Sequence, residues 1–136
     1  MADNGFEQLR ETAESRFPGR VARLEGGAFA IAREDLDLPV TFAPIPGSPE
    51  FAIVRAPVLA LGDLARPGAF AVAALAGNFF WTGANGATLS AGADGKLYMT
   101  ERRALSGFDD ADALDRFLDD FAEAASDWRE RSALYA

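Results

Sequence analysis

The stretch Ala69–Ser90, AFAVAALAGNFFWTGANGATLS, decides how the chain is read. From Ala69 to Phe79 it is almost wholly apolar. Arg66-Pro67-Gly68 opens a helix there, with proline near the first turn, where its missing N–H is not needed. A helix that is apolar all round is covered on more than one side. In a small chain one side faces its own sheet, and a helix from a second subunit is the economical cover for the other. Phe79, Phe80 and Trp81 then stand in a row before a turn bracketed by Gly83 and Gly86. Aromatic side chains bury so much area that core packing is their usual role; a share in an interface is the alternative. Placed here, they close the hinge between this helix and the strand Ala87–Ala91.

Beyond that strand, Asp94-Gly95 marks a hairpin and Lys96–Thr100 returns as the next strand. Asp109-Asp110 begins the last helix. Its apolar stripe is Leu114, Phe117, Leu118, Phe121, Ala125 and Trp128. The opposite face carries Asp112, Asp115, Asp119, Asp120, Glu123 and Asp127. Acidic residues in its first turn and Arg129 and Arg131 in its last suit the helix dipole.

On the N-terminal side, Asp3 or Asn4 caps a first helix, with Glu7 placed for a capping box. Phe6, Leu9, Ala13 and Phe17 share one face, and Pro18-Gly19 stops the helix. Three strands follow: Ala28–Ala32, Leu38–Phe42 (held to an edge or weakened by Pro39) and Phe51–Ala56. A turn cluster of Pro44, Pro46, Gly47, Ser48 and Pro49 joins the last two. The predicted order is α-β-β-β-α-β-β-α: an α+β fold with an antiparallel twisted sheet and helices packed against it, in one domain over residues 1–136.

The 136 residues suffice for a hydrophobic core without staples, and 49% hydrophobic with 25% charged residues is ordinary for a folded chain. Cysteine and histidine are both absent. That excludes disulfides, thiolate metal sites, thiol nucleophiles and imidazole bases. The formal charge of −8 disfavours phosphate backbones and anionic membranes as partners. MADNGFEQLR has neither the basic nor the apolar region of a signal peptide, and the apolar runs are too short to span a bilayer. A cytoplasmic protein is expected.

The charged and glycine-rich motifs point to no catalysis. Asp119 and Asp120 are adjacent, so on a helix they diverge, and no second carboxylate stands opposite them. The acidic helix face is read as a solvated surface, with a cation or a basic partner as the functional alternative. A calcium loop is a poor match because the loop glycine is missing. Gly83-Ala84-Asn85-Gly86 has neither the spacing of a dinucleotide loop nor the Lys-Ser/Thr of a P-loop. No catalytic, cofactor or metal site is expected. The strands are more informative. Ala28–Ala32 and Phe51–Ala60 are apolar on both faces, where a sheet covered on one side alternates. Either both faces are covered or an apolar surface is kept for a partner, which supports a binding module without naming its ligand.

Ala74-Leu75-Ala76-Gly77-Asn78-Phe79-Phe80 followed by Gly86-Ala87-Thr88-Leu89-Ser90 resembles the helix-to-strand passage of class I type III secretion chaperones, the Tir-chaperone or CesT-like family. Gly95–Leu105 resembles that family's last hairpin strand, and Phe108–Trp128 its final helix. Phe70 to Leu134 carries the likeness, and the N-terminal half matches in outline. YbjN-like regulatory or scaffold modules share the layout and are the alternative. The resemblance implies a cytoplasmic homodimer, without cofactor, that binds the non-globular N-terminal region of an effector in extended form and keeps it secretion-competent. On that basis Phe70, Ala73, Leu75, Phe79 and Phe80 are candidates for the dimer interface. Ile31, Phe42, Phe51 and Val54 are candidates for effector binding.

Overall fold

The change of period after Pro18-Gly19 gives four strands before the middle helix, one more than the spacing predicts. The computed structural model describes residues 5–32, 39–78 and 87–136. Its main elements are α1 (Gly5–Arg16), β1 (Val21–Arg23), β2 (Phe29–Ile31), β3 (Val40–Ile45), β4 (Ser48–Ala60), α2 (Pro67–Gly77), β5 (Thr88–Ala91), β6 (Lys96–Ala104) and α3 (Ala111–Ser132). The additional strand, β1, is three residues long, too short to display a period of two. The fold is α+β. One six-stranded sheet runs in the order β1-β2-β3-β4-β6-β5, with antiparallel pairing of β1–β2, β2–β3, β3–β4 and β5–β6. The expected caps Asp3 and Asn4 lie outside the described residues, as do Trp81 and the turn from Gly83 to Gly86.

By its internal contacts the chain forms two units, Met1–Arg55 with Arg102–Leu118, and Ala56–Glu101 with Asp119–Ala136. The first is organised by phenylalanine. Phe29 lies directly opposite Phe42 in the β2–β3 register, so both rings project to the same face and stack at 5.1 Å, 6° from parallel. Phe6 of α1 leans on Phe29 at 5.4 Å. Phe108 and Phe117 meet Phe42 edge-on at 5.8 and 6.1 Å and each other at 5.2 Å. Edge-to-face pairs add about 0.5–1.5 kcal/mol each beyond the area they bury. Leu9 and Ala13 complete the inner face of α1. Around this core, Arg23 donates to both carboxylate oxygens of Glu14 at 2.9 and 3.1 Å, which holds the Glu14 carboxyl below its ordinary range. Arg16 reaches Asp115 at 2.7 Å, so one carboxylate of the acidic helix face has an internal partner.

The second unit is organised by Trp128. Every residue of the predicted α3 stripe is buried, and Trp128 is 1% exposed. Phe70 of α2 meets its indole edge-on at 6.0 Å, and the Arg131 guanidinium lies 4.6 Å from the ring centre. Arg129, in the last turn of α3, donates from Nε to the Val58 carbonyl of β4 at 2.8 Å. At the start of α3, within the first unit, the Asp110 carboxylate accepts from the Ala113 N–H at 2.8 Å and caps the helix.

Candidate functional site

The middle helix is the feature on which the sequence argument rests. Its eleven residues, PGAFAVAALAG, contain no charged side chain. At 100° per residue Phe70, Ala74 and Gly77 fall on one side, and Gly68, Val72, Leu75 and Ala76 on the other. The first side is sealed: Phe70 is fully buried and Ala74 nearly so. The second is open. Val72 is 67% and Leu75 69% exposed, flanked by exposed Gly68, Ala69 and Ala76. A large apolar side chain so open, on a helix with no polar residue beside it, is the kind of surface that meets a partner.

Two residues of the quoted stretch fix this helix in place. A Cβ on Gly77 would stand 2.5 Å from Cζ2 of Trp128 and 2.9 Å from Cη2. Only glycine lets the indole approach the backbone so closely. The next residue, Asn78, makes a two-point bond to β5. Its Nδ2 donates to the Leu89 carbonyl at 2.8 Å, and its Oδ1 accepts from the Leu89 N–H at 2.7 Å. The side-chain amide thus satisfies both backbone groups of one strand residue, as a neighbouring strand would. Replacing Asn78 with leucine leaves both groups without that partner, in a part-buried place. The expected cost is about 1–3 kcal/mol, to be read from urea denaturation; a variant as stable as the parent would contradict this role.

The dimer candidates therefore divide. Phe70 points into its own protomer, against Trp128 and Tyr135, and is not available to a second copy. Ala73 is half-buried and flanks the open side. Leu75 lies on the open side. Phe79 and Phe80 lie outside the described residues. Val72, absent from the candidates, shares the open side with Leu75, three residues away. An all-apolar helix gives no phase by itself, but Gly77 does: its close approach to Trp128 marks the inner side.

A second apolar surface lies on the sheet of the first unit. Along β4 the even-numbered residues Ala52, Val54, Ala56 and Val58 are buried, so the odd-numbered ones project from the other face. Ile53 is 38% exposed. It lies opposite Ala43 in the register, as Thr41 lies opposite Arg55. Phe51 is half-buried, with the Arg102 guanidinium 4.3 Å from its ring centre. This corrects the effector-binding candidates. Ile31, Phe42 and Val54 are fully buried, because all three project toward the aromatic core, and they offer no side-chain surface to a client. Phe51 stays on the outer face, and Ile53 joins it.

Among the described residues no cluster of three or more acidic side chains is placed to hold a metal. A shallow hollow beside α1, lined by Gln8, Glu11, Thr12, Ser15, Arg16 and Ala111, brings one carboxylate, where carboxylate-driven hydrolysis needs a pair. Among the described residues no helix is long and apolar enough to cross a membrane.

Known proteins place this arrangement. The fold resembles that of a chain in the crystal structure of the ExsC–ExsE complex, with a TM-score of 0.71 at 16% identity, covering 94% of this chain and 95% of that one. A chain of the HopA1–SchA chaperone–effector complex matches with a TM-score of 0.67 at 12% identity, over 93% and 94% of the two chains. A chain of the complex between the Yersinia pestis type III secretion chaperone SycH and a stable fragment of YscM2 matches with a TM-score of 0.60 at 13% identity, over 97% and 99%. At such identities the likeness is one of fold. No curated protein sequence matches the chain. The model of the Tir chaperone protein (CesT) family matches residues 52–129, more than half the chain, from β4 through Asn78 and the last hairpin into the final turns of α3. The protein belongs to the Tir chaperone protein (CesT) family.

Proposed function

We propose that the protein is a type III secretion chaperone that works as a homodimer and holds the non-globular N-terminal region of an effector in extended form. The observation that carries this reading is the split of α2 into a sealed side and an uncharged open side bearing Val72 and Leu75. Two chains of charge −8 repel each other over most of their surfaces. A charge-free helix face is where a second copy meets no such repulsion. A two-fold pairing of α2 with itself is self-complementary, and Gly68, Ala69 and Ala76 are small enough to let the two backbones come close.

With α2 covered in this way, the outer sheet face of the first unit remains for the client. An extended segment has two modes of attachment there: apolar side chains resting on Phe51 and Ile53, and main-chain pairing along a sheet edge. Neither mode needs a nucleotide, a metal or a catalytic residue, and we assign the protein no cofactor and no enzymatic activity. Family membership favours this reading over the YbjN-like alternative. The working place is the cytoplasm, where an effector is held before export.

The test is a titration of the dimer with a peptide from the N-terminal region of its effector. Ile53→Asp places a charge at the centre of the outer face without touching the core. It is expected to weaken client binding by about tenfold or more while far-UV circular dichroism and self-association stay as in the parent. Phe42→Ala, in contrast, destabilises the fold. Client binding unchanged by Ile53→Asp would move the client site elsewhere.

A further inference from the structure

α2 begins badly. Its N-cap residue, Arg66, has φ −124° and ψ 63° and makes no side-chain capping bond, and no acidic residue stands in the first turn. Pro67 suits the first position, but Gly68 after it is a poor helix former, and an isolated helix of eleven residues is marginal even with good formers. The missing support comes from the segment that follows α3, the 3-10 turn Ala133–Tyr135. The Arg66 backbone N–H donates to the Tyr135 carbonyl at 3.0 Å. The Arg66 guanidinium donates to the Leu134 carbonyl and lies 5.3 Å from the centre of the Tyr135 ring. That ring in turn meets Phe70 edge-on at 5.3 Å, and the Phe70 N–H donates to the Arg66 carbonyl at 3.2 Å, joining the first turn of the helix to its cap. The turn itself is held by Ser132, whose hydroxyl donates to the Arg129 carbonyl at 2.5 Å.

We infer that this turn is a latch for the pairing face, and that Arg66 and Tyr135 are positioning residues for self-association although neither belongs to the Val72–Leu75 surface. The inference rests on the reading that a second copy covers that surface. Its physical content is separate. The latch fixes where α2 starts and how it is rotated, since Phe70 is gripped between Tyr135 and Trp128, and a fixed rotation is what directs Val72 and Leu75 outward together. With the latch released, α2 keeps its apolar residues but loses its defined first turn, so a partner must order it on binding, and affinity falls.

The experiment uses the full chain with Arg66→Gln, Tyr135→Leu and Tyr135→Phe. Arg66 is exposed, so its replacement leaves the core intact; Tyr135→Leu keeps an apolar contact but removes the ring beneath the guanidinium. Self-association is measured by sedimentation over a dilution series. Amide exchange of Phe70–Ala74 is measured under dilute conditions where the chain is monomeric. The expected result is a dissociation constant raised about tenfold by Arg66→Gln and by Tyr135→Leu, with roughly tenfold faster exchange in Phe70–Ala74. Exchange in Leu114–Leu118 should be unchanged, and Tyr135→Phe should behave as the parent. A dissociation constant within about twofold of the parent for both variants, or unaltered exchange in α2, overturns the latch. A parent chain that stays monomeric throughout defeats the dimer reading alone. The latch then stands or falls on the exchange rates.

Discussion

Trp128→Ala is expected to destabilise the protein by about 3–5 kcal/mol, a large part of the roughly 5–15 kcal/mol that holds a typical domain folded. The indole is 1% exposed and is the common neighbour of Phe70, Arg131 and the Gly77 backbone. Its loss leaves a cavity that α2 and α3 cannot both close. Urea denaturation followed by far-UV circular dichroism measures the loss, and a midpoint near that of the parent would contradict the central place given to Trp128. Gly77→Ala probes the same contact from the other side, with opposing terms. Helix propensity favours alanine by about 1 kcal/mol. Against that, the new methyl group would stand 2.5 Å from an indole already packed by its neighbours, and overpacking costs about 1–3 kcal/mol. The clash wins, so Gly77→Ala should be less stable than the parent. A stabilised variant would mean that the indole can withdraw at little cost.

The two ends of the fold were legible in the sequence to different degrees, and the reason is patterning. α3 carries charged residues opposite its stripe, so its phase is marked, and Leu114, Phe117, Leu118, Phe121, Ala125 and Trp128 are all buried. α1 is similar: Leu9 and Ala13 lie inside as their spacing requires. β4 offers no such contrast, because Phe51 and Ile53 on one face are as apolar as Val54 and Val58 on the other. The apolar character of both sheet faces was therefore readable, but not their parity, and Ile31, Phe42 and Val54 proved to be core. α2 poses the same problem at a helical period. Its uniform greasiness leaves the inner side unmarked, and Phe70, one of the candidates for a dimer interface, lies on the side sealed within the chain. The sequence does hold the missing phase in Gly77, but a glycine declares a close approach only once its neighbour is known. Asn78 is similar. It stands out as part of a family-like motif, whereas its pairing with both backbone groups of Leu89 depends on a contact eleven residues away. β1, at three residues, is below the length at which alternation can be seen.

Leu75→Asp is expected to convert the proposed dimer into a folded monomer. In the protomer Leu75 is 69% exposed, so the carboxylate remains solvated there and the fold tolerates it. In the proposed pair, two-fold symmetry would bring two such charges toward an apolar seam with no cation on the helix to meet them. Burying an uncompensated charge costs several kcal/mol, which at 1.4 kcal/mol per decade weakens association by roughly a hundredfold or more. Val72→Asp should act in the same way, whereas Phe70→Asp should unfold the chain. A Leu75→Asp protein that remains dimeric would show that a different surface joins the two copies.

The most direct test of the account is the molar mass of the unaltered protein by light scattering across a dilution series from roughly 100 µM downward. The account predicts about twice the 14.5 kDa of one chain at the upper end, falling only on dilution. A mass of 14.5 kDa throughout would leave the outer face of α2 open to water, and would contradict the claim that a second copy covers it.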